Sequence, residues 1–168
     1  MAGLAVGTRV TDVAAEIIAT LTARHQTIAV AESLTGGLLV AELIRTPGAS
    51  AVVRGGVVAY DTALKHTLLG VDAEVLAAHG PVHPDVAAQM AAGVREHLAV
   101  GGEPAHIGIS TTGVAGPHPQ GGVAVGTVYL GFAIGSEVRT KLLELGGTRD
   151  EIRSRVYESL VELAELIG

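Results

Sequence analysis

An apolar run at residues 27–31 breaks into a polar, glycine-rich corner at residues 32–37. An apolar pattern of helical spacing follows at once, with Leu38, Leu39, Ala41, Leu43 and Ile44. This succession constrains the chain more than any other. A strand that bends sharply into a helix needs neighbouring strands to pair with and a helical layer to cover the sheet. The bend also sets the corner residues over the helix's first free N–H groups, where a hydroxyl can meet a substrate and an anion is stabilised. Ser33 is therefore the first candidate for chemistry. A plainer reading stands beside it, in which Ser33 or Thr35 caps the helix and Gly36 and Gly37 only make the turn.

The rest of the chain supplies the layers. Val10, Val13, Ala14, Ile17, Ile18 and Leu21 predict a first helix, with Thr8 or Thr11 as its N-cap. The helix after the corner should stop near Arg45, because Pro47-Gly48 cannot continue it. Residues 52–60 read as a second strand, and Gly55-Gly56 inside it suggests a bulge or a close approach of another backbone. Asp61 or Thr62 caps a short helix through Leu69, and residues 72–78 add a further turn or two, closed by Gly80. His83 and Pro84 fit the N-cap and first position of a helix that runs to about Leu98. Residues 105–111 read as a strand and residues 112–123 as a Gly/Pro-rich loop. Residues 125–134 and 138–145 read as a hairpin turned at Gly135-Ser136. Thr148 and Glu151 fit a capping box that opens a last helix, with Ile152, Val156, Leu160, Leu163 and Ile167 facing the core. No linker or repeat divides the chain. The order predicts a single α/β domain over residues 1–168, with its core at about 10–168 and a mixed sheet, because the hairpin is antiparallel.

Composition removes several function classes. The chain has 168 residues, enough for one full core, and 48% are apolar. Its aromatic residues are Phe132, Tyr60, Tyr129 and Tyr157, few for stacking on single-stranded nucleic acid, and its net charge of −6 opposes phosphate-backbone binding. There is no cysteine, which excludes disulfides, thiolate nucleophiles and Cys-zinc sites and fits a cytoplasmic location. Residues 1–11 lack the pattern of a signal peptide, and no apolar run approaches the roughly 20 residues that span a bilayer. His79 and His83 are four apart, but Gly80-Pro81 and Pro84 break any helix between them, so no metal pair is expected. The Walker loop and the G-x-G-x-x-G fingerprint are both missing.

Three segments can converge on one site: the corner with Ser33, the end of the second strand with Tyr60 and Lys65, and the loop at residues 112–122. Strand ends are where α/β domains hold ligands. A serine needs a base to act as a nucleophile. Lys65 serves if burial strips its ammonium of a proton, and Tyr60 can relay a proton or donate to an oxyanion. Equally, Lys65 can be a solvated helix residue and Tyr60 can pack on the sheet edge. Backbone N–H groups at Gly113, Val114, Ala115 and Gly116 can meet a phosphate or ribose, or belong to an ordinary surface loop.

The sequence resembles the CinA C-terminal domain family, which includes the stand-alone nicotinamide-nucleotide amidohydrolases. The matching blocks run in family order over nearly the whole chain. They include Ala31-Glu32-Ser33-Leu34-Thr35-Gly36-Gly37, Pro47-Gly48-Ala49-Ser50, Gly55-Gly56-Val57-Val58-Ala59-Tyr60 with Lys65, His79-Gly80-Pro81-Val82, and Thr112-Gly113-Val114-Ala115-Gly116-Pro117. The block at 125–129 and Arg149 through Arg153 continue the match. The resemblance implies a three-layer α/β/α domain, often a homo-oligomer, that needs no metal or cofactor. It implies hydrolysis of the carboxamide of nicotinamide mononucleotide to nicotinic acid mononucleotide and ammonia, in pyridine-nucleotide recycling. By the same resemblance Ser33 falls on the family's nucleophile, and Tyr60 and Lys65 fall beside it. Thr35, Gly36, Gly37, Thr112, Gly113, Ala115, Gly116 and Arg149 fall on substrate-binding positions. Some relatives carry a larger N-terminal domain with a phosphohydrolase activity, which is not transferred to this chain.

Departures from the family pattern stand at Leu34, where Cys is frequent, at His83, where Ser is usual, and at Thr148, where Asp is common. The loop also carries an unusual His118-Pro119-Gln120. They leave open a silent nucleotide-binding or regulatory module as the alternative to an amidase. A competence or DNA-repair accessory factor is the third reading, opposed by the acidic charge.

Overall fold

A computed structural model describes the backbone of residues 3–155 and 157–168, and the side chains from residue 13 onward, Val156 excepted. In chain order, helix α1 (Gly3–Arg24) leads to strand β1 (Ile28–Glu32) and helix α2 (Leu38–Ile44). A single 3-10 turn precedes β2 (Val53–Val58), α3 (Thr62–Leu69), α4 (Ala73–His79) and α5 (Pro84–His97). Strands β3 (Ile107–Gly113), β4 (Thr127–Ile134) and β5 (Glu137–Glu144) follow, then α6 (Arg149–Ser154) and α7 (Tyr157–Ile167).

The five strands form one mixed sheet in the order β2-β1-β3-β4-β5. Strand β1 pairs in parallel with β2 and β3, while β4 runs antiparallel to both of its neighbours, β3 and β5. The C-terminal ends of β1, β2 and β3 therefore share one edge of the sheet, and the site is built there.

Strand β1 shows why there are three layers. All five of its residues are buried, and successive side chains point to opposite faces. Ile28 and Val30 join the core under α1, α2, α6 and α7, with Leu39, Leu43, Ile109, Phe132, Ile152 and Leu163. Ala29 and Ala31 face the other way, with Leu69, Val86, Met90 and Val94 from the α3–α5 layer. The alanines and two glycines let α5 approach closely. A Cβ on Gly108 would stand 1.9 Å from the Ala91 carbonyl oxygen, and one on Gly131 would stand 2.2 Å from that of Ala87. Among the described residues no helix is long and apolar enough to cross a membrane.

The caps follow the sequence closely. Asp61, Asp72 and His83 each accept a backbone N–H at the start of their helices, and Thr148 with Glu151 closes a full capping box. Three expectations change. Helix α1 begins at Gly3, so Thr8 and Thr11 lie inside it and not at its N-cap position, and their side chains, like that of Val10, lie outside the described ones. The second strand ends at Val58, and its irregularity falls between Val53 and Gly55, opposite Ile28 and Ala29. The glycine approached closely there is Gly56, and what nears it is the Val40 side chain. The last helix is two helices. Helix α6 closes at Arg155, whose N–H bonds the Ile152 carbonyl three residues back, and α7 starts afresh at Tyr157. No proline or glycine marks that break, and Val156 lies outside the described residues.

Candidate active site

Glu32 ends β1 and is buried. Its carboxylate folds back on the first turn of α2, accepting from the N–H of Gly37 and Leu39 through Oε2 and of Val40 through Oε1, at 3.1, 3.1 and 2.9 Å. A charged acceptor thus satisfies the orphan donors and the positive end of α2. Neither Ser33 nor Thr35 caps the helix: the N-cap residue is Gly37, with no side-chain cap bond. The α2 N-terminus already holds an anion of its own, so it is not where a substrate anion would sit.

The Ser33 hydroxyl is free for other work. Lys65 Nζ donates to Ser33 Oγ at 3.0 Å and to the Ala59 carbonyl at 2.7 Å. Lys65 comes from α3, which Asp61 starts immediately after β2. One turn separates Lys65 from Leu69, and both lie on the buried side of α3. Lys65 is 1% exposed, and burial pushes its ammonium down to about 8, against the opposing pull of the Asp61 carboxylate.

Ser33 is 7% exposed and sits in a cleft of about 200 Å³. The cleft walls are Leu34 from the corner, Tyr60, Thr62 and Lys65 after β2, Pro81 and Val82 before α5, and the strand-to-loop run from Thr112 to Gly116. His118, Gln120 and Arg149 complete the lining. Among these residues there is no carboxylate. In a chain of net charge −6, a cleft lined by two cations and no acid favours an anionic ligand. Among the described residues no cluster of His, Asp or Glu could hold a metal ion.

Tyr60 is 61% exposed, and its hydroxyl accepts from Arg149 Nη2 at 2.9 Å. Arg149 Nη1 donates to the Gly116 carbonyl at 2.6 Å, so one guanidinium joins the end of β2 to the loop. Of the two proton acceptors considered for Ser33, the structure puts Lys65 against it and Tyr60 against Arg149. Thr112 Oγ1 donates to the Pro81 carbonyl at 2.7 Å and ties β3 to the wall before α5. The Val114 N–H is taken by Thr127, while those of Ala115 and Gly116 have no partner among the described residues.

Thr35, Gly36 and Gly37 are absent from the lining. Thr35 Oγ1 lies 2.8 Å from Thr111 Oγ1, both buried, on the α6 and α7 side of the sheet. The Gly36 N–H bonds the Ser33 carbonyl at 3.1 Å, and the Gly37 N–H is spent on Glu32. These three residues shape the turn and do not reach the cleft.

Residues 10–166 match the CinA C-terminal domain. The chain belongs to that family. As a CinA C-terminal domain it is 46% identical, over 88% of its length, to a CinA-like protein of Frankia casuarinae, of which the match covers 33%. It is 45% identical over 88% of its length to a CinA-like protein of Gemmatimonas aurantiaca, again covering 33% of that chain. The CinA domain thus spans about a third of the length of these curated relatives. Among solved structures, a competence/damage inducible protein, CihA, from Agrobacterium tumefaciens superposes with a TM-score of 0.87 at 32% identity, covering 95% of this chain and 96% of that one. A CinA superfamily protein from Enterobacter cloacae gives 0.89 at 27% identity, covering 95% and 92%.

Sequence reasoning did not single out Glu32 or Arg153, nor the walls at Thr62, Pro81 and Val82. A carboxylate directly before a glycine-rich helix start was the available clue for Glu32.

Proposed function

We propose that this CinA domain is a serine amidohydrolase that converts nicotinamide mononucleotide to nicotinic acid mononucleotide and ammonia. The observation that carries the reading is the 3.0 Å contact between Ser33 Oγ and the amine of Lys65, whose proton affinity burial has lowered. A nucleophilic hydroxyl needs a neighbouring group that can give up its own proton near the working pH, and a buried lysine with a lowered proton affinity does so in a fraction of the molecules.

In this reading neutral Lys65 takes the proton of Ser33 as Oγ bonds to the carboxamide carbon. Negative charge collects on the carboxamide oxygen, where the unpaired N–H groups of Ala115 and Gly116 are candidate donors. The Lys65 ammonium then gives its proton to the departing amide nitrogen, and ammonia leaves an ester on Ser33. Lys65 next draws a proton from water as the water oxygen bonds to the ester carbon. The C–Oγ bond then breaks, Lys65 passes that proton to Ser33 Oγ to restore the hydroxyl, and nicotinic acid mononucleotide leaves. Arg149 and the acid-free lining suit the substrate's phosphate.

The family departures at Leu34, His83 and Thr148 do not disturb the proposed catalytic pair, whereas His118 and Gln120 line the cleft and bear on substrate fit. The Leu34 side chain packs in the core, His83 caps α5 through its ring, and Thr148 caps α6. Each has a structural role that leaves Ser33 and Lys65 in contact. The test is ammonia release from nicotinamide mononucleotide with a chelator present, for the native chain and Ser33→Ala. The reading requires release by the first alone; tight binding without product in the native chain favours the silent module.

A further inference from the structure

The turn that follows Ser33 is held from outside by a residue with no part in the cleft. Residues 33–36 form a turn closed by the Gly36 N–H on the Ser33 carbonyl at 3.1 Å. In such a turn the central peptide, here Leu34–Thr35, is the one that flips between the common turn types. Its carbonyl is engaged. Arg153 Nε, from α6, donates to Leu34 O at 2.9 Å. Arg153 Nη2 lies 3.3 Å from where a Cβ of Gly36 would stand, so the guanidinium fills the place beside that glycine, whose φ is +58°. Arg153 Nη1 lies 3.7 Å from Asp150 Oδ1 on the same helix.

The other polar groups of the corner are tied within the sheet layer, through Glu32 to α2 and through Thr35 to Thr111. Arg153 is the link from α6, and α6 is itself anchored by its capping box and by buried Ile152. The same short helix carries Arg149, one turn earlier, which joins Tyr60 to Gly116.

We infer that Arg153 is a positioning residue: by fixing the Leu34 carbonyl it holds the turn in the one orientation that keeps the Ser33 hydroxyl on Lys65. This rests on Ser33 being the nucleophile. A carbonyl released from Arg153 lets the Leu34–Thr35 peptide rotate and moves Ser33 by the small distances to which a reacting atom is sensitive. Arg153 does not line the cleft, so substrate binding is spared.

The experiment compares the native chain with Arg153→Met, Arg153→Lys and Arg153→Ala. The expected result for Arg153→Met is a kcat lower by about 10- to 100-fold with KM changed less than about twofold. Arg153→Lys falls between, and methylguanidine restores part of the kcat of Arg153→Ala. Thermal melts confirm that each variant is folded. A second arm does not depend on the substrate: the rate at which a fluorophosphonate labels Ser33 should fall in Arg153→Met in parallel with kcat. If the native chain releases no ammonia but Ser33 still labels, the functional reading fails and the labelling rates decide the role of Arg153. Equal labelling in native and variant chains, no labelling of the native Ser33, a loss confined to KM, or no rescue by methylguanidine overturns the inference.

Discussion

The amine of Lys65 lies 3.0 Å from the hydroxyl of Ser33, a residue 32 positions earlier in the chain. Two different crossovers produce that contact. Strand β1 delivers Ser33 at its C-terminal end, and parallel β2 delivers α3 at the same edge. Burial of Lys65 beside Leu69 then makes the amine a base near neutral pH.

The first consequence is a pH profile. With Lys65 near 8, about a tenth of the molecules carry the neutral amine at pH 7 and half at pH 8. The rate of ammonia release should rise about fivefold between those values. Asp61 holds the proton on Lys65, so Asp61→Asn should move the ascending limb to lower pH, while asparagine still caps α3. A rate independent of pH between 6 and 9 contradicts the role given to Lys65.

Lys65 should also be a stability cost. Its proton affinity is lower in the folded chain than in the unfolded one, so the unfolded chain holds more protons between about 8 and 10.5. Stability contributed by this group is therefore present above 10.5 and lost as pH falls through 8. At neutral pH the cost is about 3 kcal/mol. Lys65→Met removes it but leaves the Ala59 carbonyl without its partner. A net gain of about 1–2 kcal/mol is expected at pH 7, with loss of activity. Urea unfolding at pH 7 and 10 checks both sign and window.

Tyr60 should behave differently from Lys65. Its hydroxyl serves Arg149 and makes no bond to Ser33. Tyr60→Phe should raise KM several-fold by loosening Arg149, with kcat nearly unchanged. A collapse of kcat comparable to that of Lys65→Met contradicts this assignment.

Glu32 should matter for stability more than any other residue of the corner. Glu32→Gln replaces a carboxylate that accepts three backbone N–H groups with an amide that has one acceptor oxygen. A loss of about 2 kcal/mol is expected, since bonds to a charged acceptor are worth more than neutral ones. It should appear as a lower urea midpoint at an unchanged slope.

The order of elements was legible because most boundaries carry a local chemical mark. Asp61, Asp72, His83-Pro84, Thr148 with Glu151 and the Gly135-Ser136 turn are satisfied within a few residues, so spacing suffices to find them. The break between α6 and α7 has no such mark. The cleft was legible in part, because Ser33, Lys65 and residues 112–116 sit at strand ends that parallel pairing brings together. The side of the turn on which Thr35, Gly36 and Gly37 fall is set by contacts from Thr111, 76 residues away, and from Glu32. Arg153 meets Leu34 across 119 residues, a distance that no local pattern encodes.

The central claim is a covalent one, that Ser33 becomes an ester during turnover. Rapid acid quenching of the native chain with nicotinamide mononucleotide, followed by mass analysis of the peptide that contains Ser33, tests it most directly. The account predicts an acyl adduct on Ser33 that forms as ammonia appears and is absent from Ser33→Ala. Ammonia release at full rate with Ser33 unmodified throughout, and retained in Ser33→Ala, would contradict it.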